Sequence, residues 1–182
     1  PLTAIAVQQL AVQAEKEMGL EGVFSLFTPA DDALAELMVR DTRVNLVSFT
    51  GSTGVGKKVA SIVSETLGRR YMLECSGNSA VIVDETADLK QTARNLTFSS
   101  IGTTGQRCTS MRRVIVHRSI HDELLELLKK CFSQIKIGDP REPDTIVGPL
   151  IDAAALTHYD NTIKKAVEQG AKLVYGGKRI DR

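Results

Sequence analysis

Tryptophan is absent from this chain, and aromatic residues make up only 4% of its 182 residues. That scarcity argues against a surface on which nucleic-acid bases stack. An excess of either charge is also missing, because 23 Lys and Arg stand against 22 Asp and Glu. The chain therefore has no bulk field to gather a polyanion, and no nucleic-acid partner is expected. Cysteine is scarce, with only Cys75, Cys108 and Cys131, and no two of them form a C-x-x-C pair. Neither a disulfide framework nor a structural zinc site is expected, and a reducing compartment fits best. His117, His121 and His158 share no metal-ligand spacing and read as surface or capping residues, so no metal is assigned. No apolar run is long enough to span a bilayer and no signal peptide is visible, so no membrane partner is expected. The expected location is cytoplasmic, with a mitochondrial one also open, because the chain starts at Pro1 without an initiator Met. Its end, Gly176 to Arg182, has no terminating feature, and the chain reads as an internal fragment.

What remains is an ordinary globular composition, 42% hydrophobic and 25% charged. Hydrophobic periodicity gives alternating helices and strands. Pro1 suits a first helical turn, and Val7, Leu10, Ala11, Ala14 and Met18 follow at helical spacing up to Gly19. Residues 22–27 read as a buried strand, 29–40 as a helix and 44–49 as a strand. The next helix carries Val55, Val59, Ile62, Val63 and Leu67 on one face, and a strand begins at Arg70. Further on come a strand at 80–83, a helix from Asp88, a strand at 113–117 and a helix capped by Ser119 that holds Cys131 in its apolar stripe. A Gly- and Pro-rich connection, 138–149, leads to a last helix through Leu156, Tyr159, Ile163 and Val167, and residues 172–175 read as one more strand. Strand and helix in alternation predict an α/β fold with parallel sheet. The neck from Glu74 to Gly77 is the expected boundary between two units.

Gly51-Ser52-Thr53-Gly54-Val55-Gly56-Lys57-Lys58 lies between a strand and a helix, where free N–H groups and the helix dipole favour an anion. Three readings stay open for it. The spacing fits the G-x-x-x-x-G-K of a P-loop, but Lys58 stands where a Ser or Thr should hold Mg²⁺. A plain helix start capped by Ser52 or Thr53 fits equally well. The third reading is a pyrophosphate contact of a dinucleotide site, although G-x-G-x-x-G is absent.

In Gly105-Gln106-Arg107-Cys108-Thr109 a thiol follows a cation, a setting that favours the thiolate. A loop cysteine with no role is the competing reading. Glu74, at a strand end, is by composition alone a solvated carboxylate.

Taken together, Phe49-Thr50-Gly51-Ser52-Thr53-x-Val55-Gly56, Leu73-Glu74-x-x-Gly77-Asn78 and Gly105-Gln106-x-Cys108 resemble the aldehyde dehydrogenase superfamily in order and spacing. The resemblance covers essentially the whole chain. Gly102-Thr103-x-Gly105-Gln106-Arg107-Cys108-Thr109, with Arg112-Arg113 and Ser119-Ile120-His121-Asp122-Glu123, is most similar to the antiquitin subfamily, whose enzymes act on α-aminoadipic semialdehyde in lysine breakdown. The resemblance implies the second half of a Rossmann-like NAD-binding domain, residues 1–75, joined to the first half of a catalytic α/β domain, residues 76–182. It implies oxidation of an aldehyde substrate with NAD as cofactor. Cys108 would be the nucleophile and Glu74 the general base. Gly51, Ser52, Thr53, Val55 and Gly56 would lie along the cofactor, with Ser52 nearest the pyrophosphate. It further implies a homo-oligomer for the full-length protein.

One departure falls beside the general base. The family's usual Leu-Gly after that glutamate is replaced by Cys75-Ser76, which puts a second thiol and an extra Cβ near the chemistry. Relatives also place a ribose lysine and an oxyanion-hole asparagine before this segment, and a ribose glutamate after it. The chain alone is therefore expected to lack turnover and to bind NAD⁺ weakly or not at all. A P-loop nucleotide hydrolase and a non-catalytic truncated copy are the alternatives.

Overall fold

The computed structural model describes residues 2–180, so Pro1, expected in a first helical turn, lies outside the described residues. The chain divides into two compact units, Pro1–Cys75 and Ser76–Arg182. Both are α/β, and each is built on a pair of parallel strands.

The first unit runs through α1 (Leu2–Glu17), α2 (Asp32–Arg40), β1 (Leu46–Gly51), α3 (Thr53–Ser64) and β2 (Arg70–Cys75). Helix α3 is the crossover between β1 and β2, which pair in parallel from Leu46↔Arg70 to Gly51↔Cys75. Its buried stripe is Gly56, Val59, Ile62 and Val63, spaced as a helix that packs one face on a sheet requires. Val55 stays half exposed and Leu67 lies fully exposed beyond the helix end, so the expected apolar face is shorter than its pattern. Helix α2 starts at Asp32 rather than Pro29, because the Asp31 carboxylate caps it by accepting from the N–H groups of Ala33 and Leu34. The Arg69 guanidinium donates to the carbonyls of Val39 and Val44, which ties the end of α2 to the entry of β1.

Two expectations in this unit are overturned. Val7, Leu10 and Met18 of the α1 region are exposed, whereas Glu15 is buried. No strand forms over residues 22–27. The backbone of Phe24 is held instead by side chains of α1: Gln8 Nε2 donates to its carbonyl at 2.7 Å and Glu15 Oε1 accepts from its N–H at 2.5 Å. A strand needs a neighbouring strand, and here two side chains seven residues apart on one helix face take that place.

The second unit contains β3 (Ser79–Val83), α4 (Leu89–Ile101), β4 (Met111–Val116), α5 (His121–Ser133) and α6 (Ala153–Glu168). Strands β3 and β4 are parallel, with Val81↔Val114 and Val83↔Val116 directed at a core of Val83, Ala93, Leu96 and Leu124. Cys131 packs against that core, as its place in the helical stripe requires. On the other sheet face Ile82 and Ile115 pair across the strands and are exposed. Asp88 caps α4 by accepting from the N–H groups of Lys90 and Gln91. Ser119 does not cap α5: it lies in a 3₁₀ turn, Arg118–Ile120, capped by His117 Nδ1. Residues 172–175 form no strand either, since none of the described strands lies beside them.

Candidate active site

In the first unit the expected site residues gather at the carboxyl ends of β1 and β2. Ser52 is the N-cap of α3, its Oγ accepting from Val55 N–H at 3.3 Å and its carbonyl accepting from Gly56 N–H at 2.9 Å. The N–H groups of Thr53 and Gly54 donate to no described residue. With no acidic residue in that first turn, α3 presents two free donors and the positive end of its dipole. Two glycines are required by packing beneath the turn. A Cβ on Gly51 would stand 2.5 Å from the Phe49 ring, and one on Gly56 would stand 2.6 Å from Cys75 Sγ. The unengaged Thr53 and Gly54 N–H groups at the helix start fit an oxyanion such as a pyrophosphate.

The strand register sets Thr50 opposite Glu74 and Gly51 opposite Cys75. Alternation along β2 turns Cys75 towards α3 and Glu74 to the other face, where Glu74 is exposed and takes no hydrogen bond or ion pair from the described residues of its unit. Lys58, the residue that breaks the P-loop pattern, is occupied elsewhere: its Nζ stands 2.5 Å from Glu36 Oε2 on α2. Glu36 also takes Arg40, and these two cations hold its carboxyl below the usual range.

In the second unit, Cys108 lies ahead of the amino end of β4, with its thiol free and exposed. A tight turn presents it. Ser110 N–H donates to the Arg107 carbonyl at 3.0 Å, and the buried Ser110 Oγ accepts from Arg107 N–H at 3.1 Å. The Cys108 N–H itself donates to no described residue. Gly77 lies directly against the Cys108 carbonyl, so closely that any Cβ at position 77 would collide with that oxygen. The same segment is held from β4, where Arg113 donates to the Asn78 carbonyl at 2.7 Å.

Arg107 does not serve the thiol as its sequence position suggests. Its Nε donates to the Gly102 carbonyl at 3.3 Å, and its guanidinium carbon lies 5.5 Å from the centre of the Phe98 ring. The cation is thus spent on the carboxyl end of α4, a favourable place for positive charge. Between them, Thr103 (φ 57°) and Thr104 (φ 55°) are left-handed, followed by Gly105 at φ 67°. For two β-branched residues in succession this is a strained backbone.

The structure therefore divides the expected site residues between the units, with the glycine turn and Glu74 in the first and Cys108 in the second. Chain spacing did not assign roles to Gly77, Ser110 or Phe49. The motif contains Gly77, but only the close approach of the Cys108 carbonyl explains it.

A family model described as "Aldehyde dehydrogenase family" matches residues 1–182. The alpha-aminoadipic semialdehyde dehydrogenase of Rattus norvegicus is 41% identical over 180 residues, covering 99% of this chain and 33% of that protein. The chain thus spans about a third of the length of the curated relatives it matches. Among solved structures, a 3,6-anhydro-L-galactose dehydrogenase in complex with NAP superposes with a TM-score of 0.89 at 32% identity, covering 99% of this chain and 38% of that one. An NAD-dependent aldehyde dehydrogenase from Sinorhizobium meliloti gives 0.88 at 31% identity, covering 96% and 35%.

Proposed function

Because the chain belongs to the aldehyde dehydrogenase family, we propose that it carries the nucleophile, the general base and the dinucleotide turn of an enzyme that oxidises an aldehyde to a carboxylic acid. In this reading residues 1–75 are part of the cofactor domain and residues 76–182 part of the catalytic domain. The observation that carries it is the state of Cys108: an exposed thiol that, among the described residues, is unpaired and has an unengaged N–H of its own.

Gly51, Ser52, Thr53, Val55 and Gly56 would hold NAD, with the pyrophosphate at the free Thr53 and Gly54 N–H groups. The bound nicotinamide would supply a hydride acceptor. The Cys108 thiolate attacks the aldehyde carbon, forming a C–S bond while the carbonyl electron pair moves to oxygen. The Cys108 N–H donates to that oxyanion. Loss of hydride from the thiohemiacetal leaves a thioester on Cys108. Glu74 then takes a proton from water, and the resulting hydroxide expels the Cys108 thiolate as the acid is released.

α-Aminoadipic semialdehyde, the substrate named for the rat relative, is the proposed aldehyde. A cytoplasmic or mitochondrial location and a homo-oligomeric full-length protein belong to the same proposal. No helix among the described residues is long and apolar enough to cross a membrane.

The test is NADH formation by the chain in its natural full-length context. Cys108→Ser should lower turnover about a thousandfold or more. Glu74→Gln should accumulate acyl-enzyme, seen as a burst of NADH followed by a slow steady state. Turnover at the wild-type rate in Cys108→Ser would refute the assignment.

A further inference from the structure

The first turn of α3 rests on two side chains. Phe49 and Gly51 share one face of β1, and their register partners Leu73 and Cys75 share the same face of β2. From that face the Phe49 ring approaches Gly51 and Gly56, and the Cys75 thiol approaches Gly56. Gly56 is itself buried, and a Cβ on it would stand 2.6 Å from the sulfur. Gly56 is also the residue whose N–H closes the first hydrogen bond of α3, onto the Ser52 carbonyl. Whatever sets the height of Gly56 above the sheet therefore sets Ser52 and the free Thr53 and Gly54 donors.

We propose that Cys75 is a positioning residue for cofactor binding: its thiol, wedged against Gly56, fixes the distance between the glycine turn and the end of β2. The proposal rests on the reading of this turn as a dinucleotide site. Its physical basis is close packing. Interiors transmit changes of a single methyl group, and of the two side chains beneath this turn the sulfur is the nearer to Gly56. Glu74 points to the opposite face, so the effect of Cys75 falls on cofactor affinity and not on the base. The adjoining Gly51 does not duplicate the contact, since its own neighbour is the Phe49 ring.

The two sides of the contact are complementary in size, which makes the proposal testable by a double-mutant cycle in the full-length context. NAD⁺ dissociation constants are measured for wild type, Gly56→Ala, Cys75→Ala and the double variant. Gly56→Ala places a methyl against the sulfur and should weaken NAD⁺ by about tenfold or more. Cys75→Ala alone removes the wedge and should weaken NAD⁺ by about fivefold or more. In the double variant the vacated sulfur position receives the new methyl, and affinity should return to within about threefold of wild type. A double variant as weak as Gly56→Ala overturns the proposal. Should Gly56→Ala fail to fold, Cys75→Ile tests the contact from the other side. It should raise KM for NAD⁺ at least about fivefold, leaving kcat at saturating NAD⁺ and KM for the aldehyde unchanged. A KM for NAD⁺ in Cys75→Ile equal to that of wild type overturns the proposal, as does a fall in kcat alone. A wild type that binds no NAD⁺ removes the dinucleotide reading together with this inference. A wild type that binds but gives an additive cycle removes this inference only.

Discussion

At the scale of single residues, the loop that presents Cys108 is set by contacts that leave little room. Gly77 touches the Cys108 carbonyl, so Gly77→Ala must push one of the two backbones aside. A displacement of the nucleophile by about 1 Å can cost about a hundredfold in rate. Gly77→Ala is therefore expected to lower kcat by about tenfold to a hundredfold, with KM for NAD⁺ unchanged, as steady-state kinetics would show. Thr104 carries the opposite situation. Its left-handed backbone at φ 55° costs about 1–2 kcal/mol for a residue with a Cβ. Thr104→Gly should remove that strain, and after the entropy a glycine adds to the unfolded chain, stability should rise by up to about 1 kcal/mol. A higher urea midpoint with an unchanged slope would show it. Neither effect was legible beforehand. Gly102-Thr103-Thr104-Gly105 reads as a flexible loop, and β-branched residues argue against left-handed backbone until the Arg107 contact with Gly102 is seen.

Among the elements, those that carry their own caps and buried stripes were legible, and those that lean on a neighbour were not. Helices α3 and α4 begin where Ser52 and Asp88 place them, and Cys131 sits against the core that its helical spacing implies. The Ser119 cap failed because a 3₁₀ turn held by His117 delays α5 to His121. The strands expected at 22–27 and 172–175 failed because strand character in a sequence does not guarantee a partner. The α/β class and the order β1–α3–β2 were legible, and so was the place of the glycine turn between a strand and a helix. The contacts of Gly77 and the wedge beneath Gly56 were not, because they join residues far apart along the chain. In the second unit α5 enters the core through Leu124, which is only 2% exposed. Leu124→Ala should cost about 2–5 kcal/mol, measured by chemical denaturation. In the first unit, α2 and α3 are joined by Glu36, whose carboxyl is held below its ordinary value of 4.5 by Lys58 and Arg40. A lowered carboxylate stabilises the fold above its ordinary pKa, and that contribution disappears as pH falls through the lowered one. The stability advantage of wild type over Glu36→Gln should therefore be present at neutral pH and vanish in acid. An advantage that does not shrink as the pH is lowered into acid would contradict it.

For the molecule as a whole, the chemistry proposed for it is shared between two units, so neither 1–75 nor 76–182 holds both Glu74 and Cys108. Large apolar side chains stand exposed in each, among them Leu10 and Met18 in the first and Ile82 and Ile115 in the second. We expect the isolated 182-residue chain to self-associate and to form no NADH with a simple aldehyde, while the chain in its natural context turns over. Sustained turnover by the isolated chain, alongside a monomeric profile in light scattering, would show that it needs nothing else. The grip of α1 on Phe24 leads to a different kind of consequence. Its amide belongs to no strand or helix, yet it ends on the carboxylate of the buried Glu15. In deuterated solvent that amide should keep its proton long after those of Val23 and Ser25, a lone slow signal in a segment that otherwise exchanges freely. Truncating Glu15 to Ala should erase it, and the clock of one hydrogen would thereby time how often α1 lets go of the chain beside it.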